Sequence, residues 1–167
     1  ALLRGMNIAV VGPAVRKWVR KNDAFARPIR LIDEMEGAES AVDVLLDMLG
    51  REVDPFKTKK KREILIKLAD YLDARIVERV PACLDDFDEG IRYAAAEALL
   101  SQDDDSDMVR QELAKALGRR DEESNRLRVR LAEAFHKRSW TLGEYVEAID
   151  ERPPVGWAVR GDRIIPV

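Results

Sequence analysis

The sequence predicts an all-α protein: an α-solenoid of about four helical hairpins, closed by a short C-terminal β-hairpin or extended tail. Three observations carry that expectation. Apolar residues recur at helical spacing through the middle of the chain, in short segments separated by polar breaks. These segments repeat one another at intervals of 33 to 36 residues. After Pro153-Pro154 the pattern changes to strand-like alternation around Gly161-Asp162.

Composition agrees. The chain has 167 residues, 46% hydrophobic and 37% charged. That length suits one domain with a core that stands without metals or disulfides. The charged fraction, set beside abundant Leu, Ala, Val and Ile, describes helices with ion-rich outer faces and not a disordered chain. A net charge of -3 argues against a uniformly basic, nucleic-acid-binding surface. A single cysteine, Cys83, excludes an intrachain disulfide framework and agrees with a reducing compartment. No apolar run approaches the roughly 18 residues of a membrane span, and no secretory signal is visible. A soluble, cytoplasmic protein without membrane contact is expected.

The first hairpin is expected over residues 7–36. It opens on NIAVVGPAV, which looks like the strand and glycine turn of a dinucleotide-binding βαβ unit. Such a turn needs G-x-G-x-x-G. Here Gly12 is followed by Pro13, Ala14, Val15 and Arg16, and both further glycines are missing. Ile8, Val11, Val15 and either Trp18 or Val19 keep helical spacing instead. Pro13 marks a kink in this helix or its true start, and Ala26 to Met35 supplies the second helix.

The next three hairpins are expected over 39–72, 75–101 and 107–139. Glu63 to Leu72 carries Ile64, Leu65, Leu68 and Leu72, and Arg75 to Leu84 carries Ile76, Val80, Cys83 and Leu84 on one face. Ile91, Ala95, Ala98 and Leu99 share a face in the following segment. Val109, Leu113, Ala116 and Leu117 do so in the next, and Leu127, Leu131, Ala134 and Phe135 in the last. IRYAAAEAL aligns with LRVRLAEAF at an offset of 36, matching Arg92 to Arg128. Ile76, Val80 and Leu84 fall on Val109, Leu113 and Leu117 at an offset of 33, and Ala41, Leu45 and Leu49 fall on Ile76, Val80 and Leu84 at 35. A helix over 141–150 completes a repeat domain of residues 1–152. Residues 153–167 form a tail in which Trp157, Val159, Ile164 and Ile165 are expected to cap the open end.

ERVPACLDDFDEGIRYAAAEALL resembles a HEAT-like repeat of the short bacterial type found in phycobilin-lyase-like proteins. The proline Pro81, the turn Asp85, Asp86 and Asp88, and the I-R-x-A-A-x-x-A-L second helix carry the resemblance. It extends over about Ser40 to Trp140 and implies a solenoid. It says little of function, because such repeats serve many partners. The small residues Ala94, Ala95, Ala96 and Ala98 let helices approach closely, and Arg92 pairs with aspartates or helix ends.

Two basic clusters are candidate partner or phosphate contacts. One is Lys57, Lys59, Lys60, Lys61 and Arg62; the other centres on Arg119, Arg120 and Arg128. Each also reads as a solvated face, since Asp121, Glu122, Glu123 and Glu133 interleave the second. DDDSD at 103–107 lacks the alternation, glycine and glutamate of a calcium loop and reads as a linker with Ser106 or Asp107 capping the next helix. His136 has no second histidine, and Cys83 lies on an apolar face, so neither suggests a metal ligand or nucleophile. Arg160-Gly161-Asp162 matches an adhesion tripeptide but falls where a hairpin turn is expected. No catalytic residue, metal or cofactor is expected. The expected function is a non-catalytic scaffold or adaptor with an unidentified protein partner. Phosphate-backbone binding through the basic clusters is the alternative, and a bilin-lyase-like enzyme or chaperone is the second.

Overall fold

The computed structural model describes residues 8–22, 24–51, 58–102 and 106–167, with backbone alone at 8–10 and 20. Nine α-helices and one two-stranded sheet lie among them. The helices are α1 (Ile8–Lys21), α2 (Ala26–Glu36), α3 (Ala38–Arg51), α4 (Thr58–Leu68), α5 (Ala74–Arg79), α6 (Glu89–Leu100), α7 (Asp107–Gly118), α8 (Asn125–Lys137) and α9 (Val146–Glu151). Strands β1 (Trp157–Arg160) and β2 (Arg163–Pro166) follow.

The apolar stripes become the core. Ile91, Ala95, Ala98 and Leu99 of α6 are buried, as are Val109, Leu113 and Leu117 of α7 and Leu127, Leu131 and Phe135 of α8. Helix α6 packs against both α4 and α8, and β2 takes the next place on α8. The alanines of α6 permit this two-sided approach. Helix α7 packs on the segment before α6 and on α9.

Three expectations need correction. The segment from Arg75 to Leu84 is not one helix: α5 ends at Arg79, and Pro81–Asp85 continues as a 3₁₀ turn. Pro81 has no N–H to give the carbonyl four residues back, so the α-helix stops before it. Leu72 is 74% exposed because α4 ends at Leu68, and Tyr71 is buried in its place. Pro13 lies inside α1, so of its two expected roles the helix start is excluded.

Gly12 has a different use from the one its setting first suggests. A side chain there would strike the Glu36 carboxylate at the end of α2, the group that Arg16 of α1 pairs with. The glycine makes room for a clasp between the first two helices.

The connecting turns share a device. In α4, α6 and α8 the fourth residue is a cation: Lys61, Arg92 and Arg128. Lys61 pairs with Asp86 in the turn before α6, at 2.5 Å. Arg92 pairs with Glu122 in the turn before α8, through Nε at 2.6 Å and a second nitrogen at 2.8 Å. Asp86 and Glu122 each stand three residues ahead of the following helix. Each accepts from a backbone N–H two residues on, Asp88 at 3.0 Å and Ser124 at 2.9 Å. Asp88 and Ser124 then cap α6 and α8. Ser106 caps α7 as the sequence predicts. Arg128 differs: it donates to the main-chain oxygen of Arg152, and its Nε has no hydrogen-bond partner among the described residues. Burial and the charge of Arg152 hold its pKa below the usual arginine value.

Helix α8 ends in a Schellman motif. Ser139 has a φ of 53°. Its N–H donates to His136 O, and the Trp140 N–H to Phe135 O. Trp140 meets Phe135 edge-on, with ring centres 5.3 Å apart. Beyond it the tail forms the expected hairpin. Arg160 opposes Arg163 across Gly161-Asp162, and Gly161 alone of the two has positive φ, the mark of a type II′ turn. Ile164 is buried, Leu142 N–H donates to Asp162 O at 2.8 Å, and Trp157 faces His136.

Two stability predictions follow from this geometry. Ser139→Gly relieves a left-handed backbone at an exposed position and should stabilise the fold by about 1 kcal/mol in urea denaturation. Glu122→Ala leaves the Arg92 charge buried and unpaired and should cost about 3–5 kcal/mol at neutral pH. Burial pushes the Glu122 carboxyl up, but hydrogen bonds from Arg92 and the Ser124 amide, with the Arg92 and Arg119 charges, outweigh it and hold it below 4.5. The pair's contribution is therefore complete above the ordinary carboxylate value and is lost as pH falls through the depressed one. Glu122→Ala should show a shallower loss of stability over that acid window than the parent chain.

Candidate functional site

The basic clusters are brought together, but on carboxylates. Lys61 of the first and Arg119 of the second converge on the turn before α6, where Asp86 holds Lys61 and Asp85 holds Arg119 at 3.2 Å. Lys115 approaches Asp85 at 3.5 Å. Arg119 also pairs with Asp121 and donates to Leu84 O. Arg120 pairs with Glu151, and Arg128 is buried. Lys59 and Arg62 are exposed on α4, Lys60 is engaged, and Lys57 lies outside the described residues. Intramolecular contacts thus occupy five of the predicted contact residues: Lys60, Lys61, Arg119, Arg120 and Arg128.

Cys83 is buried, and desolvation raises its thiol pKa, with the nearby Lys61 charge opposing, so the thiolate is disfavoured. Tyr71 is pushed up to about 12 by burial and by the charges of Asp33 and Asp70. Its hydroxyl stands 3.5 Å from Asp33. Among the described residues no group of three or more His, Cys, Asp or Glu side chains is placed to hold a metal ion. No helix among them is long and apolar enough to cross a membrane.

Among the described residues, an apolar hollow lies elsewhere, between α1, α2 and α4. The spacing of α1 allows either Trp18 or Val19 to face inward. Val19 does so, fully buried, and Trp18 is left 46% exposed. Its indole forms the wall of a groove of about 600 Å³ floored by Phe25 and closed on the far side by Ile66 and Lys67 of α4. Ile66 is 57% exposed because α4 turns Ile64, Leu65 and Leu68 to the core. A second hollow of about 450 Å³ continues past the same indole between Ala14, Val15, Pro28 and Leu31. Trp18, Arg27 and Pro28 border both, so the two form one trough.

The trough has few polar groups. Lys67 is tied to Asp70 at 2.7 Å. Arg27, in the first turn of α2, is exposed and has no hydrogen-bond or ion-pair partner among the described residues. Exposed tryptophan beside arginine on an apolar wall is the composition of protein-binding hot spots. A second notch of about 340 Å³, between α3 and α5, is filled with compensated charge: Arg75 is held by Asp73 and by the carbonyl of Glu39. Sequence periodicity missed the trough; its only trace was the undecided choice between Trp18 and Val19.

No family model, curated protein or solved structure matches the chain.

Trp140 is buried and Trp157 half-buried, so Trp18 should carry most of the solvent-accessible tryptophan emission. Acrylamide quenching should fall sharply in Trp18→Phe and persist in Trp157→Phe; the reverse order would move the exposed indole to the tail.

Proposed function

We infer that the chain is a HEAT-like helical-repeat module that binds another protein and performs no chemistry of its own. The observation that carries this reading is the apolar trough around Trp18, with Ile66 open to solvent on the opposite wall. A large exposed indole in a concave apolar setting gains on the order of 2 kcal/mol or more when a partner removes it from water. The repeat reading is supported by α6 lying between α4 and α8, and by the turn device that recurs 36 residues apart at Asp86 and Glu122. Such an array presents a rigid face to an extended partner.

Phosphate-backbone binding is the weaker reading. The cations it needs are largely neutralised by Asp85, Asp86, Asp121 and Glu151, and a protein gains affinity for a duplex by bringing free Lys and Arg to it. A bilin-lyase-like activity rests on repeat type alone, and fold analogy does not transfer chemistry.

Selection of ligands from a helical-peptide display library tests the reading. Selected peptides should carry apolar residues at helical spacing. The double variant Trp18→Asp, Ile66→Asp should bind them at least about thirtyfold more weakly while melting within a few degrees of the parent. Ligands that bind the double variant unchanged would remove the trough from the function. Tight binding of a DNA or RNA duplex with a steep salt slope would favour the phosphate reading instead.

A further inference from the structure

Cations outnumber carboxylates along the trough's described lining, Arg27 and Lys67 against Glu63, and this bears on the chemistry of its occupant. Helix α1 carries Arg16, Lys17, Arg20 and Lys21 and no acidic residue. Arg16 is spent on Glu36 and Asp43. Lys21 is exposed, lacks a partner among the described residues, and stands one turn beyond Trp18 on the same row of the helix. Arg27 borders both halves of the trough from α2 and is likewise unpaired. Among the described residues that line the trough, the one carboxylate is Glu63, on the α4 wall.

We propose that the trough receives an acidic amphipathic helix of a partner protein, whose apolar stripe lies along Trp18 and Phe25 and whose flanking carboxylates meet Arg27 and Lys21. This rests on the protein-binding reading of the same trough. Apolar side chains at helical spacing match an elongated apolar hollow. Carboxylates on the flank complement Arg27, whose planar guanidinium binds them with two hydrogen bonds. A basic amphipathic helix with an exposed tryptophan also suits an anionic membrane surface. The apolar side chains gathered along the groove, with the indole on one wall, suit an inserted helix stripe better than a flat bilayer surface.

The test uses the full chain and two labelled synthetic peptides of about sixteen residues with the same leucine stripe. Glutamates flank the stripe in one and lysines in the other, and binding is read by fluorescence anisotropy at low and high salt. The glutamate peptide should bind at least about tenfold tighter than the lysine peptide at low salt, and the ratio should shrink as salt rises. Arg27→Glu, at an exposed position, should invert or abolish the preference, and Arg27→Ala should reduce it without loss of folding. Equal binding of both peptides, dependent on Trp18 and Ile66, would overturn the charge selection and leave the apolar reading standing. Binding of neither peptide, or unchanged binding by Trp18→Asp, Ile66→Asp, would overturn both. Phosphatidylserine vesicles bound in preference to the glutamate peptide would assign the trough to a lipid surface. Self-association in ultracentrifugation that vanishes with Trp18→Asp would assign it to a second copy. Either result overturns the proposal.

Discussion

The arginine–glutamate pair between α6 and the turn before α8 is the constraint on which the middle of the molecule depends. Arg92 and Glu122 are 8% and 1% exposed. Desolvating both charges is expensive, and it is offset only when geometry and hydrogen bonding are complete. Here they are complete. Arg92 also donates through Nη1 to the carbonyls of Asp86 and Phe87, at 2.9 and 3.0 Å, and Glu122 takes the Ser124 N–H. One guanidinium thereby fixes two turns at once, its own and that of the next hairpin. Removing either partner would leave the other charge buried without its counter-ion, so the two turns stand or fall together.

Much of this arrangement was written locally and some of it was not. The helix pairs around α6, α7 and α8 are legible because each stripe repeats at helical spacing and each start is marked by a capping side chain, Asp88, Ser106 and Ser124. The hairpin is legible from Gly161-Asp162. The roles of the cations are not, because a lysine at 61 meets its aspartate 25 positions later and an arginine at 92 its glutamate 30 positions later. A run such as KTKKKR gives no sign of which member folds inward. The exposure of Trp18 is set by which neighbour α1 turns inward, Val19 here, and helical spacing alone allows either.

Gly12 illustrates the same limit from the other side. Read alone, the glycine after an apolar run suggests a backbone that must approach a phosphate. In the fold it is a backbone that a carboxylate approaches, since Glu36 lies where a side chain would be. The chemical reason for glycine is the same in both settings, close contact with an anionic oxygen. Only the tertiary context distinguishes a ligand from the protein's own side chain.

The spacing of the turn device carries a further consequence for how such a chain changes length. Asp86 and Glu122 are equivalent positions, as are Arg92 and Arg128, and each pair is separated by the same 36 residues. Duplicating the segment 86–121 in register would give the added copy of Arg92 a waiting carboxylate, and removing it would set Lys61 opposite Glu122. An insertion of a few residues in the same region would strand a charge inside the protein. Growth and shortening of such an array would therefore come in whole units, with the last unit the one whose arginine, Arg128, donates to the main-chain oxygen of Arg152 and whose helix packs against the hairpin.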